Sequence, residues 1–118
     1  GGLSPAALQI WVRAFLTTLD KLTGRQTIIY VSPGFWRYQM GNTTEFSERP
    51  LWIADYNGKQ SPTLPLPGGW KTWTFWQYSS QTRIDGIQAQ NVDTNKFGGT
   101  MQQLRAFAAT GVVSASKK

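Results

Sequence analysis

The chemistry open to this chain is bounded first by what it lacks. Among 118 residues there is no His and no Cys. Imidazole and thiolate, the commonest general base, nucleophile and soft metal ligands, are therefore missing. A Ser–His–Asp triad is excluded, Ser79 and Ser80 have no histidine to activate them, and no disulfide can form. Acid–base work falls to six carboxylates: Asp20, Glu45, Glu48, Asp55, Asp85 and Asp93. The remaining ligand-holding groups are aromatic and polar. They crowd into "GGWKTWTFWQYSS" (68–80), which carries three of the six tryptophans and then Gln77 and Tyr78. The paired glycines at 68–69 and 98–99 fit neither GxGxxG nor GxxxxGK[ST]; they read as turn residues, and no phosphate loop, cofactor or metal is expected.

Charge narrows the partners. The net charge is +6 and the pI about 10.0, which favours anionic surfaces. The basic residues are dispersed, however, and Lys117–Lys118 is the one adjacent pair. A nucleic-acid surface needs aromatics interleaved with Lys or Arg on exposed strands. Lys71 alone fits that pattern, so nucleic acid is not an expected partner. No apolar run is long enough to span a bilayer.

These side chains must be positioned by a small set of elements, and the length suits one modest domain. Residues 4–23 read as a helix. Ser4 can cap it, Pro5 suits its first position, and Gly24 suits its end. Leu8, Trp11, Val12, Phe15, Leu16 and Leu19 fall on one face. "QTIIYVS" (26–32) and "LWIADY" (51–56) read as strands whose continuous apolar character suits a sheet covered on both faces. "PGFW" marks a turn or a short helix, and 41–50 is loop-like. The Pro- and Gly-rich stretch 57–69 reads as a stiff loop. Residues 70–79 read as a third strand. After a turn at Asp85–Gly86, residues 87–92 read as a fourth, antiparallel to the third. Residues 100–109 form a last helix, capped by Thr100 and ended by Gly111, with Met101, Leu104, Phe107 and Ala108 inward. Residues 112–118 read as a flexible tail. The opening "GGLSPAAL" has no initiator Met and no signal-peptide pattern; it reads as a processed product or an internal piece.

In that order and spacing, "IIYVSPGFW", "LWIADY", "PGGWKTWTFWQYSS", "GIQAQNVDTNKFGGT" and "QLRAF" resemble the C-terminal half of a glycoside hydrolase family 25 lysozyme, the Chalaropsis-type muramidases. The resemblance runs from about residue 4 to residue 109. It implies an α/β fold, namely the C-terminal half of a modified (β/α) barrel whose last strand is antiparallel, with 1–118 forming a single partial domain. It implies hydrolysis of the β-1,4 bond between N-acetylmuramic acid and N-acetylglucosamine in peptidoglycan, in an extracellular, cell-wall or phage endolysin setting. The family's Asp-x-Glu acid motif occurs nowhere in this chain. Glycoside hydrolysis needs an acid and a second group acting at the anomeric carbon. The expectation is therefore a chain inactive alone, which pairs with the N-terminal half of the barrel, covalently or as a second chain, or self-associates. The other reading is a non-catalytic cell-wall-binding remnant.

The resemblance matches Asp93, in "VDTN", to an active-site position, as a supporting carboxylate. Tyr30, Tyr56 and Gln77 fall toward the C-terminal ends of their strands, the face on which barrel sites are built. Tyr56 and Gln77 are expected to hydrogen-bond sugar, and Tyr30 to line the cleft. An indole can stack on the C–H face of a sugar while the hydroxyls stay free at the edge. Trp70, beside the loop, is the expected platform. Phe75 and Trp76 are assigned to the core and Trp11, Trp36 and Trp52 to packing, with the cleft as the lesser alternative for Trp52. Asp55 should point away from Tyr56, to an ion pair.

Overall fold

The structure, a computed structural model, describes residues 2–82 and 92–112. The Asp85–Gly86 turn, most of the strand expected at 87–92 and nearly all of the tail lie outside the described residues. Helix α1 spans Pro5–Thr23. Ser4 caps it by accepting from the Ala7 amide at 3.1 Å, and Gly24 ends it in the left-handed region with φ 68°. Four strands follow: β1 (Ile29–Val31), β2 (Leu51–Ala54), β3 (Phe75–Thr82) and β4 (Val92–Phe97). Helix α2 (Met101–Thr110) closes the described chain, with Thr100 and Gln103 forming a reciprocal capping box.

The strands lie in sequence order in one sheet. β1, β2 and β3 are parallel, and β4 is antiparallel to β3. This is a mixed α/β fold with a mostly parallel sheet. The boundaries differ from those read in the sequence. The third strand begins at Phe75, because residues 70–74 are held by the loop before it: Trp70 closes a short helical turn at Pro67–Gly69. The described part of the fourth strand runs over Val92–Phe97, antiparallel to β3.

The core lies on one face of the sheet. Ile29, Val31, Leu51, Ile53 and Trp76 meet Leu16 of α1 and a loop cluster of Trp36, Met40, Phe46, Leu66 and Trp70. Leu8 and Val12 pack at its margin. The other face behaves differently. Its aromatic row, Tyr30–Trp52–Phe75–Phe97, follows directly from the strand register. Phe107 of α2 packs on Phe75 and Phe97 at ring separations of 5.8 and 6.5 Å. Tyr30, by contrast, is 53% exposed. The sheet is thus covered on one face and only partly on the other among the described residues. That departs from the doubly covered sheet the apolar strands suggested.

Both helices are also less buried than their periodicity implied. In α1 only Leu16 is fully buried; Trp11 and Phe15 are exposed and stack on each other at 5.1 Å. In α2 only Phe107 is buried, and Met101 and Ala108 face solvent. No described helix is long and apolar enough to cross a membrane.

Two polar clamps tie α1 down. Asp20 accepts from the Thr27 amide (2.8 Å), the Thr27 hydroxyl (2.7 Å) and both terminal nitrogens of Arg49 (3.2 and 2.8 Å). Those bonds hold the Asp20 carboxyl down at about 2; the Arg49 guanidinium is the main cause, opposed by partial burial and assisted by Thr27. Glu45 pairs with Arg13 through two hydrogen bonds, one of them 2.7 Å long, and its pKa is lowered chiefly by that guanidinium. Glu45 is thereby occupied as a structural partner.

Candidate active-site face

Alternation along a strand places every second side chain on one face. Trp52, Ala54 and Tyr56 therefore share a face with Phe75 and Gln77, and with Asp93, Asn95 and Phe97 on β4. Register then sets their heights. Gln77 is only the third residue of β3, yet it lies beside Ala54, the last residue of β2, and opposite Asn95. That puts it level with the C-terminal ends of β1 and β2.

Three of the expected residues meet there. The Tyr30 hydroxyl donates to Gln77 Oε1 at 2.9 Å, and the Tyr56 hydroxyl donates to the same oxygen. Gln77 itself is buried. A buried amide oxygen that accepts two phenols fixes both rings, since each phenol has one proton to give. The two hydroxyl oxygens keep lone pairs with which to meet a ligand. Asp93 is exposed on β4, and its negative charge reaches the Tyr30 hydroxyl. The Tyr30 phenol is pushed above its usual range, first by burial of the hydroxyl and then by Tyr56 and Asp93. The phenol is accordingly held as a proton donor.

Trp70 is elsewhere. It is 5% exposed, its indole N–H donates to the Arg49 carbonyl at 2.8 Å, and its ring packs on Trp36 at 5.0 Å. The reading of Trp70 as a platform is corrected: a residue taken to be in a strand next to a loop is folded inward by the turn at Pro67–Gly69. Gly68 makes this possible. It is buried with φ 60°, and a Cβ there would lie 2.3 Å from Trp36 Nε1. Asp55 also departs from expectation. Its Oδ2 accepts from the Thr63 amide at 2.8 Å, fastening the Pro-rich loop instead of forming an ion pair.

Two residues on this face were not among the expected site residues. Trp52, assigned to packing, donates its indole N–H to Asn95 Oδ1 at 2.8 Å, and its ring meets Tyr30 edge-on at 5.0 Å. The signal for Asn95 was present: it stands two residues after Asp93 in a strand. For Trp52 it was its place two and four residues before Ala54 and Tyr56. Among the described residues, no group of three or more acidic side chains is placed to hold a metal.

The fold and this face define a class: an α/β domain whose polar and aromatic side chains converge at the C-terminal ends of parallel strands. Comparison with known proteins places it further. The model of "Glycosyl hydrolases family 25" matches residues 1–87, about three quarters of the chain. Lysozyme M1 of Streptomyces globisporus is 35% identical over 108 residues, covering 91% of this chain and 35% of its own length. The N,O-diacetylmuramidase of Arthroderma benhamiae is 40% identical over 111 residues, covering 93% of this chain and 43% of its own length. The crystal structure of a bacterial lysozyme from Streptomyces coelicolor superposes with a TM-score of 0.82 at 35% identity, over 91% of this chain and 48% of that one. The chain belongs to glycosyl hydrolase family 25. It spans less than half the length of these relatives.

Proposed function

We propose that this chain is the C-terminal half of a peptidoglycan-hydrolysing muramidase barrel, carrying glycan-binding groups and one supporting carboxylate but not the general acid. The observation that carries this reading is the convergence of Tyr30 and Tyr56 on Gln77, with Asp93 alongside, at the C-terminal strand ends of a family 25 fold. In this reading the two phenols and Gln77 bind sugar hydroxyls or an N-acetyl group. Asp93 orients substrate, water or a carboxyl of the other half. Hydrolysis of a glycoside needs two carboxyl groups flanking the bond, and the chain has no Asp-x-Glu to complete the pair.

Two features support a partner half. β1 is an edge strand in the described sheet, and an open edge invites a further strand. Trp11 and Phe15 lie exposed on α1, where a neighbouring helix would cover them. The N-terminal half of the barrel, in the same polypeptide or as a second chain, suits both; self-association is the other way to cover them. The substrate would be reached in an extracellular, cell-wall or phage-lysis setting. The absence of Asp-x-Glu also favours a second reading, a cell-wall-binding remnant that has kept the sugar face and lost the acid.

Turbidity clearing of purified cell walls separates these. The chain alone should not clear them, and should do so when joined to the N-terminal half of a related muramidase. Asp93→Asn in that joined protein should lower the rate by at least about tenfold. Clearing by the chain alone would show that an acid has been overlooked. Failure to clear after joining, with retained sedimentation on insoluble peptidoglycan, would leave the remnant.

A further inference from the structure

The Pro-rich loop after β2 holds the one Asn–Gly pair in the chain, Asn57–Gly58. Asparagine is thermolabile. A following glycine carries no side chain to obstruct attack by its own nitrogen on the Asn carboxamide. Gly58 is exposed, and nothing lies within 4 Å of where its Cβ would stand. Among the described residues its amide N–H has no hydrogen-bond partner.

The Asn57 carboxamide, by contrast, is fully engaged. Its Nδ2 donates to the Ser61 carbonyl at 2.9 Å and to Thr63 Oγ1 at 3.0 Å, and its Oδ1 accepts from the Lys59 amide at 2.9 Å. These three bonds close the near end of the loop on itself. Its far end is held by other means. The Pro65 carbonyl accepts from Arg37 at 2.7 Å, the Gly68 amide donates to Asn42 Oδ1 at 2.7 Å, and Pro62, Leu66 and Pro67 are buried. Lys59, Gln60 and Ser61 are exposed between the two ends. Asn57 is thus the side chain that fastens them.

We propose that Asn57–Gly58 is a modification site, at which succinimide formation unfastens this loop irreversibly. The Gly58 nitrogen attacks Asn57 Cγ. The N–Cγ bond forms, the Cγ–Nδ2 bond breaks, and ammonia leaves with the proton that Gly58 gives up. Water then opens the imide at either carbonyl to leave aspartate or isoaspartate, and nothing is oxidised or reduced. The closed loop slows the first step, because its three bonds hold the carboxamide in place. Local opening admits it. The product cannot close the loop again. A carboxylate has no hydrogen to give the Ser61 carbonyl, so two acceptors face each other there. It also adds a second negative charge beside Thr63, whose amide already binds Asp55 Oδ2, and like charges repel. Asp55 and Tyr56 lead directly into the loop, so the change reaches the candidate face.

Peptide mapping of the 118-residue chain, aged at neutral pH both folded and in urea, tests the chemistry. Conversion at Asn57 should be at least about tenfold slower in the folded chain. Thr63→Val removes one acceptor; it should speed the folded reaction about threefold and leave the unfolded one unchanged. Limited trypsin digestion tests the unfastening. In Asn57→Asp, cleavage after Lys59 should rise at least about tenfold over the parent, while cleavage after Lys21 in α1 stays within about twofold. No conversion at Asn57 in urea, or equal rates folded and unfolded, overturns the gated reaction. Cleavage after Lys59 that is unchanged by Asn57→Asp overturns the unfastening. So does cleavage that rises in step with Lys21, because it locates the loss in the whole fold.

Discussion

Asp20→Asn gives the sharpest test of what holds α1 against the sheet. In the native chain the Asp20 carboxylate takes four hydrogen bonds, two from Thr27 and two from Arg49. Asparagine keeps an oxygen for Thr27 and loses the charge that faces Arg49. The folded carboxyl titrates at about 2 instead of its ordinary 3.8. A difference of one in pKa corresponds to about 1.4 kcal/mol, so the ceiling on this contribution is about 2.5 kcal/mol. The Asp20 side chain is 31% exposed and that of Arg49 16%, so solvent screening reduces the expected figure to about 1–2 kcal/mol.

The sign follows from the lowered pKa. The folded state favours the ionised form, so the stabilisation is full above 3.8, falls as pH drops toward about 2, and is lost below that. We predict that Asp20→Asn is less stable than the parent by about 1–2 kcal/mol at neutral pH, and that the gap closes near pH 2. Urea unfolding followed by circular dichroism at about pH 7, 4 and 2 measures it; guanidinium would screen the pair and hide the effect. A gap that stays constant or widens as pH falls would refute the argument, because it would locate the loss in packing or in the Thr27 bonds instead of the ion pair.

Three further outcomes are expected. Gly68→Ala should cost about 3 kcal/mol or more in a thermal melt, since it combines a positive φ with a Cβ only 2.3 Å from Trp36 Nε1; a variant as stable as the parent would mean the loop repacks freely. Trp70→Phe should lose about 1–2 kcal/mol, through the stranded Arg49 carbonyl, while leaving peptidoglycan sedimentation intact; lost sedimentation with unchanged stability would restore Trp70 as a sugar contact. An NMR titration should find the Tyr30 phenol above its usual range, and Asp93→Asn should bring it down. A Tyr30 titration indifferent to Asp93 would separate the two residues and weaken the case for a shared site.

Sequence alone reached much of this. Capping chemistry is local, so Ser4, Gly24, Thr100 and Gly111 marked both helices to within a residue. Strand alternation is also local: Trp76 reaches the core as assigned, while Phe75, assigned there with it, shares the other face with Gln77. The segments "LWIADY" and "WQYSS" were specific enough to indicate the family. Tyr30, Tyr56 and Gln77 were named from their places near strand ends, and their meeting at one oxygen required only that the strands be parallel and in order.

What the sequence left undecided depends on contacts across long separations. Trp70 and Trp52 are equally apolar on paper, and their fates reversed. A left-handed Gly68 turned Trp70 into the core, while the register of β2 against β3 and β4 set Trp52 on the open face beside Asn95. The same applies to α1, whose apolar stripe was legible in full although the sheet buries only part of it. Periodicity states which side chains share a face; only the tertiary packing determines which of those faces finds something to cover it. Among the described residues, the face left only partly covered is the one that carries Tyr30, Tyr56, Gln77 and Asp93.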